Sequence, residues 1–342
     1  MASIASENTP GLGVNIVLST AQTHLGGKRT QQDCGFTRVT DSWSMAAIFD
    51  GHGNDGFSNA AAAAAEAFVS RPEFYDELLR DVEKTAETLF DAMQRSNFEL
   101  VKQCLNEKGL SFEVRDEHIY CKNSLHLRGG TTATMVFVDK SGLVTTFNVG
   151  DSDAWMFSED KSTRLSGIHR PETPEEYDRL MSLGGKCVYD RHHTMKPRSG
   201  SDLIPPSDVH NKCLDPYYVC NMDLLPATVV SVIDEHGRVH KLAMTRAIGD
   251  ENMRKGGVIS TPAVSQFQLS ARAVIKIASD GYWDAIKSSD ELAKTNDAVS
   301  RVGFDANALC IDWFQTTKAI SDKVFRGMGD NMWGYVVTID LN

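Results

Sequence analysis

"TTATMVFVDKSGLVTTFNVGDS", residues 131–152, places two apolar runs on either side of Lys140-Ser141-Gly142. Runs rich in β-branched and aromatic residues, broken by a short turn with a glycine, read as a hairpin of two antiparallel strands. The runs are near-continuous in apolar residues, which suits strands covered on both faces. The second run stops at Gly150-Asp151-Ser152. That ending recurs along the chain. "WSMAAIFDG" (43–51) and "RAVIKIASDG" (272–281) close on an aspartate, and "GMGDN" (327–331) stands just ahead of the run "WGYVVTID" (333–340).

Helical stretches lie between these strands. Residues 58–70 are alanine-rich, and 73–105 carry Leu78, Val82, Leu89, Met93, Val101 and Leu105 at helical spacing. In "TPEEYDRLMSLGG" (173–185), Thr173 reads as an N-cap and Pro174 as the first helical residue. Glu176 would complete a capping box, and Gly184 would stop the helix. Residues 289–302 and 305–325 read as two more helices. Strands and helices alternate without a linker or repeat, so one domain is expected.

The segment from Cys187 to about His236 stands apart. It carries Pro197, Pro205, Pro206, Pro216 and Pro226 among many polar residues. It is longer than an ordinary connection, and loops of that length are usually functional or disordered. It also gathers Cys187, His192, His193, His210, Cys213 and Cys220, but at spacings that match no common zinc finger, so exposed loop residues are the expectation there.

Composition narrows the function. Apolar content of 41% and charged content of 24% are those of a globular protein, and the net charge of -11 argues against nucleic acid or an anionic membrane as partner. Seven cysteines, an odd number with no CxxC pair, fit a reducing compartment better than a disulfide framework. No stretch approaches the ~20 apolar residues that a membrane-crossing helix needs, and the first residues lack the pattern of a secretory signal. An intracellular protein of cytoplasm or nucleus, without membrane insertion, is the expectation.

The chemistry lies in the aspartates. Asp50, Asp151, Asp280 and Asp330 each sit where an apolar strand starts or stops, beside glycine or another small or amide residue. Any one of them could be a turn aspartate. Four brought to one edge of a sheet would repel strongly, and bound cations would remove that conflict. Ligation by oxygen alone favours Mg²⁺ or Mn²⁺ over zinc. Two such ions roughly 3.5–4 Å apart generate a nucleophile from water and hold an in-line displacement at phosphorus. Other phosphate chemistries lack their signatures: no cysteine is followed six positions later by arginine, and no nucleotide-binding glycine loop is present.

The blocks "GGKRTQQD", "FDGHG", "GGTTATMVFV", "NVGDSDAW", "HRPETPEEYDRLMSLGG", "LAMTRAIGD", "GVISTPAV", "IASDGYWDAI" and "GDNMWGYVV" stand in this order. The set resembles the metal-dependent, type 2C family of protein serine/threonine phosphatases, which implies one catalytic domain over about 15–340, with 187–236 as an enlarged insertion. The resemblance implies an α+β fold: two antiparallel sheets packed as a central sandwich, with helices on both outer faces. It implies a binuclear Mn²⁺ or Mg²⁺ centre, in which Asp50 bridges both ions and the Gly51 carbonyl binds one. Asp280 and Asp330 would complete the other, and Asp33 would hold metal-bound water. Asp151 with Asp280 matches the place where some members bind a third, weaker ion.

His52 stands where the family is thought to place a general acid for the leaving oxygen. Lys28 takes the place of a phosphate-binding arginine, with Arg29 beside it as a substitute. Thr245 and Arg246 are expected to be structural, in strand packing and an internal ion pair. The usual Asp-His-Lys-Pro reads Ile168-His169-Arg170-Pro171, and the usual arginine of Gly-Asp-Ser-Arg is Asp153; both departures are expected to bear on surface interactions more than on catalysis. The implied reaction is hydrolysis of phosphoserine and phosphothreonine monoesters in phosphorylated proteins, by direct attack of a metal-bridging hydroxide. The alternative is a non-catalytic member kept as a scaffold, which loss of a metal aspartate would favour. The enlarged 187–236 segment is expected to flank the cleft as a flap that selects among protein substrates, without a core of its own.

Overall fold

The computed structural model describes residues 14–53, 56–115, 118–121, 128–171, 173–183, 187–190, 203–204, 227–233, 239–286 and 288–341. Strands β1 (Val14–Leu18) and β2 (Gln22–His24) precede a hairpin of β3 (Cys34–Val39) and β4 (Trp43–Phe49), and the short β5 (Gly51–His52) follows at once. Helices α1 (Gly56–Val69), α2 (Phe74–Arg80) and α3 (Val82–Glu107) come next, then a small hairpin of β6 (Phe112–Arg115) and β7 (His118–Cys121). The strand β8 (Gly130–Thr131) leads into the hairpin of β9 (Ala133–Asp139) and β10 (Leu143–Val149), where the sequence places it. Then come β11 (Asp153–Phe157), β12 (Ser162–Arg164), α4 (Pro174–Ser182), β13 (Cys187–Asp190), β14 (Leu203–Ile204), β15 (Ala227–Ile233) and β16 (Val239–Leu242). The chain closes with β17 (Ile248–Gly249), a 3-10 helix (Glu251–Gly256), β18 (Ala263–Gln268), β19 (Ala273–Ala278), α5 (Asp280–Trp283), α6 (Ser288–Val302), α7 (Ala306–Val324) and β20 (Met332–Leu341).

Two antiparallel sheets form the centre. One runs β1-β20-β19-β11-β12 with β2 also on β20, and the other runs β18-β10-β9-β4-β3. Between them lie Ala46, Ile48, Val136, Val138 and Val144 from one sheet against Ala154, Met156, Ile275, Ile277, Val337 and Ile339 from the other. The alternate residues of the same strands, Met45, Ala47, Phe49, Met135, Phe137 and Phe147, face out and are covered by Ala61, Ala65, Phe68, Leu89 and Met93 of α1 and α3. On the opposite outer face Val274, Ala278 and Val336 pack beneath Tyr282, Trp283, Leu309 and Trp313 of α5 and α7. Strand β4 is buried at every residue, as its nearly continuous apolar run requires, because both of its faces meet a core. The expected α+β sandwich with helices outside is the fold.

Three local readings are corrected. The helical stripe over 73–105 is two helices, split at Asp81, which is extended (φ -154°, ψ 91°) and accepts a hydrogen bond from the Lys84 amide as the cap of α3. Thr173 stands at the N-terminus of α4 with Pro174 following, but makes no side-chain cap; Glu176 turns inward to Arg179, Arg246 and Thr245 instead. Gly184 lies outside the described residues. The 187–236 segment is not a plain loop: β13, β14 and β15 join β16 in an antiparallel sheet, order β14-β13-β15-β16. Val230 and Leu242 of that sheet share a small core with Leu180, Ala247, Met253 and Val258, which the segment builds by borrowing apolar residues from α4 and the 3-10 helix. His192, His193, His210, Cys213 and Cys220 lie outside the described residues.

Candidate active site

Strand register brings the aspartates together. Cys34 pairs with Phe49 across the β3–β4 hairpin, so Asp33 and Asp50, one residue beyond each, leave the sheet side by side. Ala278 pairs with both Gly334 and Asp153, which sets Asp280 beside the Asp330 loop and the Asp151 turn. The two sheets present these ends at the same edge of the sandwich. Asp50 feels the charges of Asp33, Asp280, Asp330 and Asp151 together, so the site residues read from sequence converge around it.

A frame of hydroxyls and amides holds the cluster, and the sequence reading named none of them for this task. The Thr132 amide donates to the Asp50 carbonyl (2.9 Å), Thr131 Oγ1 donates to the same oxygen (3.0 Å), and the Asp50 amide donates to Thr132 Oγ1 (3.1 Å). Ser279 Oγ donates to Asp33 Oδ2 at 2.8 Å and accepts from the Trp333 amide. Asn331 ties the 25–32 loop to the acid edge: its Oδ1 accepts from the Gln32 amide, and its Nδ2 donates to the carbonyls of Leu25 and Thr30. The signal was available, since Thr131, Thr132, Ser279 and Asn331 are short polar residues at the ends of apolar runs, where backbone groups leave the ladder and need partners.

Burial and mutual repulsion dominate the electrostatics. Burial pushes the Asp33 carboxyl up to about 7, and the charge of Asp330 adds to this against hydrogen bonds from Ser279 and Asp50. Burial holds Asp50 and Asp280 well above the ordinary carboxylate range, with the neighbouring aspartates adding to both. Asp50 is followed by Gly51, where a Cβ would stand 2.5 Å from the Gln32 carbonyl oxygen and 2.9 Å from Ser58 Oγ. Only glycine lets the backbone run this close to the acid edge.

His52 belongs to a second, smaller sheet. It pairs with Gly130 in β5–β8, and Gly130 pairs with Gly249 in β8–β17, so Asp250 arrives opposite His52. His52 Nε2 lies 2.7 Å from Asp250 Oδ2, and the carboxylate is 4 % exposed. A Cβ on Gly130 would stand 2.3 Å from that Oδ2, so the pair exists because residue 130 has no side chain. Burial would lower the His52 imidazole, but the Asp250 carboxylate raises it on balance. Lys28 Nζ rests 2.8 Å from Asp330 Oδ1, with both side chains about two-fifths exposed (42 % and 43 %) at the mouth of the cluster. Arg29 is exposed, and among the described residues Lys28, not Arg29, makes the ion pair with the cluster.

The donor set fits hard divalent cations. It is made of oxygens alone, its anions repel one another, and Asp151 Oδ1 is buried without a hydrogen-bond partner. Among the described residues no three His, Cys, Asp or Glu side chains close into a tight ligand cage. A hard ion such as Mg²⁺ keeps several waters and takes one or two carboxylates, so an open arc of aspartates is enough.

The two sequence departures are corrected by the structure. Arg170 is not a surface residue apart from the site: its Nη2 lies 3.4 Å from Asp151 Oδ2 and 3.8 Å from Asp284 Oδ1. His169 is buried, and burial drives its imidazole down to about 3, so it packs as a neutral ring. Asp153 is also buried, paired with Arg164 and accepting from Ser166 Oγ (2.8 Å). Arg246 makes the internal ion pair read from sequence, with Glu176, and Thr245 Oγ1 donates to the same carboxylate at 2.6 Å.

Comparison with known proteins agrees with this geometry. The family model of protein phosphatase 2C matches residues 17–300. A probable protein phosphatase 2C of Arabidopsis thaliana, number 61, is 27% identical over 290 residues, covering 81% of this chain and 71% of its own. Number 73 of the same plant is 24% identical over 288 residues, covering 81% and 68%. Among solved structures, a serine-threonine phosphatase 2C from Toxoplasma gondii superposes with a TM-score of 0.63 at 18% identity, covering 97% of this chain and 96% of that one. A C. elegans sex determining protein superposes with a TM-score of 0.57 at 17% identity, covering 97% and 66%. A sandwich whose acid edge carries a histidine on one side and a lysine on the other, matched by a family model over most of its length, places the chain in the protein phosphatase 2C family, a class of protein serine/threonine phosphatases. Among the described residues no helix is long and apolar enough to cross a membrane.

Proposed function

We propose that the chain hydrolyses phosphoserine and phosphothreonine monoesters of phosphorylated proteins with two divalent cations, Mn²⁺ or Mg²⁺, at the acid edge. The observation that carries this reading is the convergence of Asp33, Asp280, Asp330 and Asp151 on Asp50, in a site where burial makes their uncompensated charges costly. Asp50, the Gly51 carbonyl, Asp280 and Asp330 would hold the two ions, with Asp33 acting through water and Asp151 on the outer side. When bound, a pair of such ions lowers the pKa of water and neutralises charge on a transferring phosphoryl group.

The chain's own side chains do the rest. Lys28 is a point charge at the mouth that receives a phosphate oxygen, in exchange for or beside its pair with Asp330. His52 Nε2 is engaged by Asp250, which keeps the ring charged and aimed, so the proton for the departing serine or threonine oxygen would come from Nδ1. No observation favours the scaffold alternative, since every aspartate of the set is present at the edge. The test is phosphate release from a phosphothreonine peptide by the purified chain. Release should require Mn²⁺ or Mg²⁺ and stop in chelator; equal release in chelator would overturn the reading.

A further inference from the structure

Asp151, Asp280 and Asp284 form the outer part of the acid edge, and the charges of Asp284 and Asp151 are both felt at Asp280. One cation of the chain already reaches into this outer part. Arg170 Nη2 lies 3.4 Å from Asp151 Oδ2 and 3.8 Å from Asp284 Oδ1. Its backbone is held on both sides: the Thr173 amide donates to the Arg170 carbonyl (3.0 Å), and the Thr245 amide donates to that of His169 (2.8 Å). The His169 ring just before it is buried and neutral, which fixes the backbone from which the Arg170 side chain extends.

We infer that Arg170 is a built-in counter-cation that fills the outer acid site and limits the chain to two bound divalent ions. This rests on the metal reading above and deepens it. A guanidinium is permanently charged, and here a single nitrogen, Nη2, faces both carboxylates at once. A divalent ion entering between Asp151 and Asp284 would have to displace that charge and shed part of its own hydration, which Mg²⁺ and similar ions do reluctantly. Asp151 Oδ1, buried and unpartnered, is the ligand atom such an ion would use. Removing the guanidinium would leave two carboxylates and an orphaned oxygen with no compensating charge, and a further cation would then bind.

The experiment counts Mn²⁺ directly, by electron paramagnetic resonance of free Mn²⁺ during titration of the full chain, and needs no activity. The wild-type chain should saturate at two equivalents, and Arg170→Ala at three. The double variant Arg170→Ala/Asp284→Asn should return to two or bind the third at least tenfold more weakly. Circular dichroism checks folding, and Arg170→Gln, which keeps most of the side-chain volume, takes the place of alanine if that variant does not fold. Three equivalents in the wild-type chain, or two in both arginine variants, would overturn the inference while leaving the metal reading intact. Zero equivalents in the wild-type chain would overturn both.

Discussion

His52 and Lys28 approach the acid edge from different elements, and each is held by one carboxylate, but the two contacts do different work. Lys28 is half in water, and in the proposed mechanism its charge acts on a phosphate before and after the bond breaks. Lost interactions of that uniform kind raise KM and leave kcat nearly unchanged. Lys28→Ala should therefore raise KM for a phosphopeptide about tenfold, equivalent to about 1.4 kcal/mol, with kcat within a few-fold. Steady-state kinetics decides it, and the same phenotype in Arg29→Ala alone would move the phosphate contact to Arg29.

In the proposed mechanism His52 acts at the leaving oxygen, so its importance depends on what leaves. A serine alkoxide needs a proton in the transition state, and a nitrophenolate does not. His52→Ala should lower phosphopeptide turnover by about 10²-fold or more while nitrophenyl phosphate loses only a few-fold. Asp250→Asn should move both substrates in the same direction by less, because the ring remains but loses its partner. Equal losses on the two substrates would remove His52 from the proton-donating role.

At the scale of elements, the caps and internal ion pairs separate stability from chemistry. Asp81 divides α2 from α3 and caps the longer helix through the Lys84 amide. Asp81→Ala should cost about 1 kcal/mol in chemical denaturation and leave kcat unaltered. Glu176 joins α4 to Thr245 and Arg246, in the segment between β16 and β17. Burial alone would raise this carboxyl, but hydrogen bonds from Arg246, Arg179 and Thr245 hold it down at about 2 against an ordinary 4.5. A carboxyl lowered on folding stabilises the native chain above its unfolded value, and that stabilisation is lost as pH falls from 4.5 toward 2. It amounts to roughly 3 kcal/mol at neutral pH. Glu176→Gln should be less stable at pH 7, with a flatter loss of stability between pH 4.5 and 2 than the wild-type chain. Urea midpoints across that window measure it.

For the whole molecule, the proposed metal site makes the acid edge the place where folding and metal binding would meet. Both sheets end there, so an ion that ligates Asp50 from one sheet and Asp280 from the other ties the two halves of the sandwich. Binding to the native state alone adds about 2.7 kcal/mol at an ion concentration a hundredfold above Kd. Mn²⁺ should raise the Tm of the chelator-treated chain by several degrees. Asp280→Asn should abolish turnover and most of that rise, while its own metal-free Tm stays level or increases because one repelling charge is gone. A full Mn²⁺-induced shift in Asp280→Asn would remove Asp280 from the ligand set.

The sequence by itself determined what depends on order along the chain. Near-continuous apolar runs made β4, β9, β10 and β19, because a strand covered on both faces shows little polar alternation. The turn at Lys140-Ser141-Gly142 made β9 and β10 partners, and an aspartate beside each of several strands marked Asp50, Asp151, Asp280 and Asp330. Tertiary structure decided what depends on register between segments far apart. His52 meets Asp250, 198 positions away, only because two-residue strands align across a bare Gly130. Glu176 had the spacing of a capping box, but a buried carboxylate gains more from two arginines than from one helix-end amide, and Arg246 stands 70 positions away. Arg170 read as a surface departure because nothing local says that the chain after β12 returns to the acid edge. Local signals report which residues form an element; the packing of one element's face on another decides which charges must then live together, since a buried charge is tolerated only beside its opposite.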